Sequence, residues 1–351
     1  MPSTIVTKAI DELASGHSLT SEDAALVLAE IMDGTVSETQ IAGFLIALRT
    51  KGETVQELAG LASTMRRMAT AVPIEREDLL DTAGTGGGAS TFNVSTTAAL
   101  IAAGAGCAVA KHGNRSATSR SGSADLLEAL GARIDLGPQE VADCIEETGF
   151  GFMFAPAHHR ATRFVVPVRR ELAVRTVFNL LGPLTNPAGA RRQLIGVSDA
   201  RFLERMAGAL AQLGVDRALL VSSEDGLDEI SARAPTHVVE VNAEQIDRYV
   251  LTPEDVGLEP AEEEAAGGTP QENADLTRAI LAGSGSGRGP APGQALAAIN
   301  AGAAIYAAGQ VETIADGVEA AREALSEGRA RRALEDYIAA SRRLAPEQAA
   351  E

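Results

Sequence analysis

Four glycines fall within five positions, Gly84, Gly86, Gly87 and Gly88, just after an apolar run that ends at Asp81. Without Cβ atoms the main chain can approach a ligand closely, and loop amides next to a helix N-terminus make a cradle for an anion. Thr91, Asn93, Ser95 and Thr96 add side-chain donors at the same end, with Val94 among them. The next apolar run leads into Lys111, His112, Gly113, Asn114, Arg115, Ser116, Ala117, Thr118 and Ser119, with Ser123 and Asp125 close behind. Two successive strand ends rich in cations and hydroxyls suit a polyanion of the diphosphate class. A third cluster, Asp225, Asp228 and Glu229, follows the apolar run 218–222. Alone it reads as a solvated loop. Beside an anion cradle it becomes a candidate for Mg²⁺, which one or two carboxylates usually hold together with substrate phosphate and water.

Other phosphate binders fit less well. Gly84-x-Gly86-x-x-Ala89 matches the dinucleotide fingerprint, but that fold expects an Asp or Glu at the end of the next strand, where this chain has Lys111. The GxxxxGK[ST] spacing of a P-loop is absent. A tight strand-to-helix turn with no ligand is the bland alternative.

The elements that position these residues are legible in outline. The first seventy residues read as short helices. Ser37 to Gln40 and Thr54 to Glu57 are capping-box patterns, each ahead of an apolar stripe, and Gly34 and Gly52 stand where helices end. From about residue 75, apolar runs at 79–81, 107–110, 150–154, 194–197 and 218–222 alternate with helical stretches. That rhythm predicts an α/β domain with a largely parallel sheet. Residues 170–187 form a turn-rich helical insert expected to return to the first unit. Residues 254–292 read as surface loops around one helix, and 311–344 as a closing helical stretch.

Composition excludes several classes. Thirty basic against 48 acidic residues give a net charge of −18, and aromatics are 3% with no Trp, which opposes nucleic-acid binding. Only Lys8, Lys51 and Lys111 are lysines, so the positive charge is nearly all arginine; a GC-rich genome and a salty cytoplasm explain this equally well. Cys107 and Cys144 are far apart and read as buried, reduced thiols rather than a disulfide or a zinc site. The N-terminus lacks the apolar core of a secretion signal and no run is long enough to span a bilayer, so no membrane association is expected and the expected location is cytoplasmic.

The ordered set GTGG…TFNVST, KHGNRS, SGSADLLEALGA, NLLGPLTNPAGA and DGLDE resembles the anthranilate phosphoribosyltransferases. The similarity runs from SETQIAGFLIALRTKGET to NAGAAIYAAG, nearly the whole chain. It implies a small N-terminal helical domain (1–72, with part of 166–190 packed on it) and a larger α/β domain (73–351). The central sheet would be mainly parallel, in the nucleoside phosphorylase/phosphoribosyltransferase-like, class II fold. It implies transfer of the phosphoribosyl group of phosphoribosyl pyrophosphate to anthranilate in tryptophan biosynthesis, with Mg²⁺, by a homodimer formed through the helical domain.

Residue by residue, the resemblance places the donor on Gly84, Gly87, Gly88, Thr91, Asn93, Val94, Ser95, Thr96, the run Lys111 to Ser119, and Ser123. Mg²⁺ falls to Ser95, Asp228 and Glu229, and anthranilate to Gly84, Asn114 and Arg169, with His112 at the pocket edge. Lys111, Asn114 and Arg115 would carry the catalytic charge stabilisation. His159 and Arg170 lie in matching stretches, His159 reading as structural. Family members usually show GTGGD and one more residue before TFN; here Gly87 is followed by Gly88, Ala89 and Ser90, so the acid is missing and altered Mg²⁺ dependence is expected. Two competing readings remain. A pyrimidine-nucleoside phosphorylase shares the fold but typically carries a KHSTGG-type run. A non-catalytic nucleic-acid-binding relative conflicts with the charge and with Arg169, Asp228 and Glu229.

Overall fold

The computed structural model describes residues 2–116, 120–261, 266–283 and 293–345. Four helices come first: α1 Thr4–Ala14, α2 Ser21–Met32, α3 Glu38–Lys51 and α4 Val55–Met68. Both expected caps form, though differently. Thr54 and Glu57 close a full reciprocal box at the start of α4. Ser37 accepts the Gln40 N–H, but the Gln40 amide turns to the Ser3 main chain, 3.0 Å in both directions, and pins α1 to α3. Gly52, at φ 89°, ends α3 in a conformation that side chains resist.

The chain then alternates strand and helix: β1 Leu80–Gly84, α5 Val94–Gly104, β2 Val109–Gly113, α6 Ser123–Ala129, α7 Pro138–Thr148 and β3 Phe150–Phe154. Short helices α8 Ala155–His158, α9 Val166–Leu172 and α10 Phe178–Leu181 form the insert. After it come β4 Arg192–Gly196, α11 Leu203–Gln212, β5 Arg217–Ser223, β6 Thr236–Asn242 and β7 Gln245–Leu251. Helices α12 Pro270–Leu281, α13 Gln294–Ala307, α14 Ile314–Ser326 and α15 Arg329–Leu344 complete the described chain.

One seven-stranded sheet has the order β3-β2-β1-β4-β5-β6-β7. The first five strands are parallel; β6 and β7 add an antiparallel edge. That edge is the main element the sequence pattern did not announce. Its two-residue turn holds Ala243 at φ 53° instead of the Asn-Gly pair that usually flags a hairpin. The closing helical stretch comprises two helices, α14 and α15.

Two cores sandwich the sheet, because successive strand side chains point to opposite faces. Leu219 and Val221 join the core built by α5, α7 and α12 to α15, whereas Ala218 and Leu220 join the core of the four N-terminal helices. Helix α11 bridges that second core through Met206, Ala207 and Leu210. Val165, Val168, Phe178 and Leu181 of the insert belong to it too, so the insert returns to the helical unit. Cys107 and Cys144 are free and buried, and burial pushes both thiols up to about 12.

Candidate active site at the strand ends

Parallel strands β1, β2 and β4 deliver their C-terminal ends to one edge, where loops of an open α/β sheet bind ligands. Thr82 in β1 donates its hydroxyl to the Ser95 carbonyl, 2.8 Å, which fixes the start of α5 against the strand. From β2, the buried Lys111 ammonium donates to the Thr82 carbonyl at 2.5 Å and the Thr82 hydroxyl at 3.2 Å, and reaches the Ser95 hydroxyl at 3.5 Å. Burial lowers the Lys111 pKa, and the Asp81 and Glu229 charges oppose that fall.

Opposite them, the turn after β5 brings Asp228 and Glu229 to the same point. The main-chain N–H groups of Gly86 and Ser95 favour the charged forms of Asp228 and Glu229 respectively. Burial raises the Asp228 pKa. Burial and then the neighbouring Asp228 charge hold Glu229 well above the usual carboxylate range. The turn fits because two glycines give it room. A Cβ on Gly196 would lie 1.7 Å from the Asp228 carbonyl, and one on Gly88 would lie 2.6 Å from the Asp228 carboxylate. Gly88 thus stands against the carboxylate as bare main chain. Asp225 is consumed within its own turn, accepting the Ser223 and Ser231 hydroxyls at 2.5 and 2.6 Å.

The second loop is ordered by Asp125, which accepts the Ser116 and Gly122 amides at 3.1 and 2.9 Å. Arg115 donates to Asp125 at 2.9 Å and to Glu128 at 2.5 and 2.9 Å, so its guanidinium is held by carboxylates. Asn114 accepts the Arg115 amide at 2.7 Å, and the Ser123 hydroxyl donates to the Asn114 carbonyl at 3.3 Å. The close approach of Ser123 requires Gly113, where a Cβ would come within 2.2 Å of its oxygen. Ala117, Thr118 and Ser119 lie outside the described residues.

Three expected ligand contacts are internal in this arrangement. Asn93 is a brace: its amide donates to the Ser121 carbonyl at 3.0 Å, and its oxygen accepts from the Ser121 hydroxyl at 3.1 Å and the Asn273 amide at 2.9 Å. The Val94 side chain is in the core, and its amide donates to the Phe92 carbonyl. The Thr96 hydroxyl is buried without a hydrogen-bond partner. Each is where the first turn of α5 must pack, which leaves Ser95 as the partly exposed hydroxyl there. Thr91 is bridged to Ala266.

Arg169, on α9, lies 5.6 Å over the Phe178 ring with its guanidinium 3.4 Å from the Asn179 side-chain oxygen, and burial lowers its pKa. Arg170 is exposed. The His159 ring donates from Nε2 to the Thr185 carbonyl at 3.1 Å, as a structural histidine should. The His112 ring lies tilted at 60° to it with centroids 5.0 Å apart, and burial pushes His112 down to about 3 and His159 down to about 4.

Two supports escaped sequence reasoning. Asn186 donates one amide group to the Asp81 carboxylate and the Ala110 carbonyl, both at 2.8 Å, locking β1, β2 and the insert together. Arg175 donates to the Gly86 carbonyl at 2.8 Å and the Thr85 carbonyl at 3.4 Å, and Arg49 donates to the Arg175 carbonyl at 2.8 Å. The glycine loop is therefore held from the helical unit. Nothing in sequence spacing signals either, because each joins residues at least 76 positions apart.

Comparison with known proteins accords with this geometry. Residues 7–69 match the helical bundle domain of a glycosyl transferase family, and residues 76–331 match its a/b domain. Anthranilate phosphoribosyltransferase of Rubrobacter xylanophilus is 51% identical over 340 residues, covering 96% of this chain and 98% of its own. The chain belongs to the anthranilate phosphoribosyltransferase family. The Symbiobacterium thermophilum member is 49% identical over 96% of this chain and 98% of its own. Among solved structures of the family, that from Thermus thermophilus superposes with a TM-score of 0.89 at 48% identity, covering 95% of this chain and 99% of its own. The Saccharomyces cerevisiae enzyme, solved in complex with PRPP and Mg, gives 0.86 at 28% identity, covering 97% and 98%.

Proposed function

We propose that the chain transfers the phosphoribosyl group of phosphoribosyl pyrophosphate to anthranilate, giving N-(5-phosphoribosyl)anthranilate and pyrophosphate in tryptophan biosynthesis. The observation that carries this reading is the meeting of the α5 N-terminus at Ser95 with the Lys111 ammonium and the Glu229 carboxylate, with Asp228 adjoining Glu229. An anion subsite and a divalent-cation subsite then share one hydroxyl. The residues fit Mg²⁺. Burial raises the pKa of both adjoining carboxylates, the Asp228 charge raises that of Glu229 further, and a divalent cation offsets both effects. Mg²⁺ is usually held by one or two carboxylates and completed by substrate phosphate and water.

Substitution at the anomeric carbon builds positive charge on the ribose and negative charge on the departing diphosphate. Bound Mg²⁺ supplies counter-charge to that diphosphate. Lys111 adds a fixed positive charge, and the amides of Gly84, Gly87 and Gly88 line its approach. Arg115 joins by exchanging its carboxylate partners for phosphate, and Asn114, with Gly84 and His112, borders the acceptor. Arg169 pairs with the acceptor carboxylate, a task suited to a planar guanidinium. The arylamine has a free lone pair, so positioning outweighs base catalysis. We assign residues 1–72 to a helical domain and 73–351 to the donor-binding domain.

The same helical unit is proposed to form a homodimer, since Ile5, Ile46 and Val166, on packed helices α1, α3 and α9, are 38%, 37% and 42% exposed. Ile46→Glu should halve the mass seen in sedimentation; an unchanged mass removes this face from the interface. Among the described residues no helix is long and apolar enough to cross a membrane. A cytoplasmic location follows from the proposed pathway. The deciding assay is loss of anthranilate fluorescence with phosphoribosyl pyrophosphate and Mg²⁺; no loss at any Mg²⁺ concentration overturns the assignment.

A further inference from the structure

Beside the glycine loop lies a cavity of about 550 Å³. Arg49 and Lys51 at the end of α3, Arg175, and Arg201 and Arg205 beside α11 all line it, with Gly87 at its edge. Against these five cations stand only two carboxylates, Glu53 and Asp199. In a chain with 48 acidic and 30 basic residues, that local excess of positive charge runs against the composition.

The charges are not spent equally. Lys51 pairs with Glu57 at 2.8 Å, and Arg201 pairs with Asp199 at 2.7 Å. Arg49, Arg175 and Arg205 have no carboxylate at ion-pair distance among the described residues. Arg49 and Arg175 donate only to main-chain carbonyls, and Arg205 lies 5.6 Å over the Phe202 ring. Glu53 is 6% exposed, and burial raises its pKa, with the Arg205 charge opposing the rise.

We propose that this cavity is a second anion site, which takes a small molecule through a phosphate or carboxylate group held by Arg49, Arg175 and Arg205. Guanidinium forks suit either oxyanion, and the volume is that of a small-molecule site. The Arg175 guanidinium, already on the Thr85 and Gly86 carbonyls, makes the occupant a neighbour of the loop that cradles the donor. Occupancy of one site then alters the other, and thermodynamic reciprocity makes the effect mutual.

The test is calorimetric titration of inorganic phosphate, and in a separate arm acetate, into the full-length protein already saturated with phosphoribosyl pyrophosphate and Mg²⁺. Donor binding is measured first, so a failure there counts against the proposed function and not against this cavity. One further anion per chain is expected, and whichever arm gives it identifies the group. The double variant Arg49→Gln, Arg205→Gln should weaken it by at least about tenfold, from the loss of charge-assisted hydrogen bonds. Glu53→Gln should tighten it, a gain that a damaged fold does not mimic. No binding beyond the donor in either arm, equal affinity in the double variant, or weaker binding in Glu53→Gln overturns the proposal.

Discussion

At the scale of single residues, the site is a set of opposed charges that ligands must complete. Arg169 is desolvated and lies beside Asn179, without a carboxylate at ion-pair distance among the described residues. Arg169→Ala should therefore raise the Michaelis constant for anthranilate on the order of 10- to 100-fold, the worth of a charge-assisted hydrogen bond. Steady-state kinetics with each substrate varied in turn check this, since an equal rise for the donor contradicts the role. Glu229 makes a pH prediction. A carboxyl whose folded pKa is raised weakens the fold as pH climbs from its unfolded value through the folded one. Mg²⁺, which needs the carboxylate, should bind more tightly over the same rise. Without metal, Glu229→Gln should melt higher than wild type at pH 8, match it at pH 4, and show no stabilisation by Mg²⁺. Identical melting at pH 8 contradicts the buried charge.

At the scale of elements, the site depends on how closely the turn after β5 fits the ends of β1 and β4. A methyl group on Gly196 overlaps the Asp228 carbonyl, so any side chain there must displace both carboxylates. Gly196→Ala is expected to cut kcat/KM by at least about tenfold and to raise the Mg²⁺ concentration for half-maximal rate, by analogy with the cost of small displacements from reactive geometry. A rate within twofold of wild type means the turn adapts. The glycine loop is a related case. Without the acid usual in the family, Gly88 lies directly on Asp228, so the loop takes its shape from the turn that carries Asp228 and from Arg175. The capping patterns and strand runs read correctly in sequence because they are local. The Gln40 amide departs from its box because Ser3, 37 positions away, offers it a better partner.

For the whole molecule, the charge of −18 leaves exposed carboxylates repelling one another over the Debye length, about 10 Å at 0.1 M salt. If that surface is a salt adaptation, the melting temperature should rise steadily from low to molar salt, measured with potassium chloride. A flat curve leaves genome composition as the reason for arginine over lysine. The positive cavity beside the glycine loop is the local exception to this surface and joins the helical unit to the donor loop.

By itself, the sequence determined the chemistry and the order of parts. The glycine run, the KHGNRS loop and the DGLDE turn each carry their residue types within a few positions, and the strand-helix rhythm sets which ends they occupy. It placed the insert correctly against the first helices. Only the tertiary structure decided which groups meet. Lys111 to Thr82 and Ser95, Asn186 to Asp81, and Arg175 to Gly86 join residues between 16 and 105 positions apart. It also turned Asn93, Val94 and Thr96 inward, because the first turn of a helix cannot show every side chain to a ligand while packing on its strand. Local spacing fixes which groups a loop can offer, and long-range packing fixes which of them remain free.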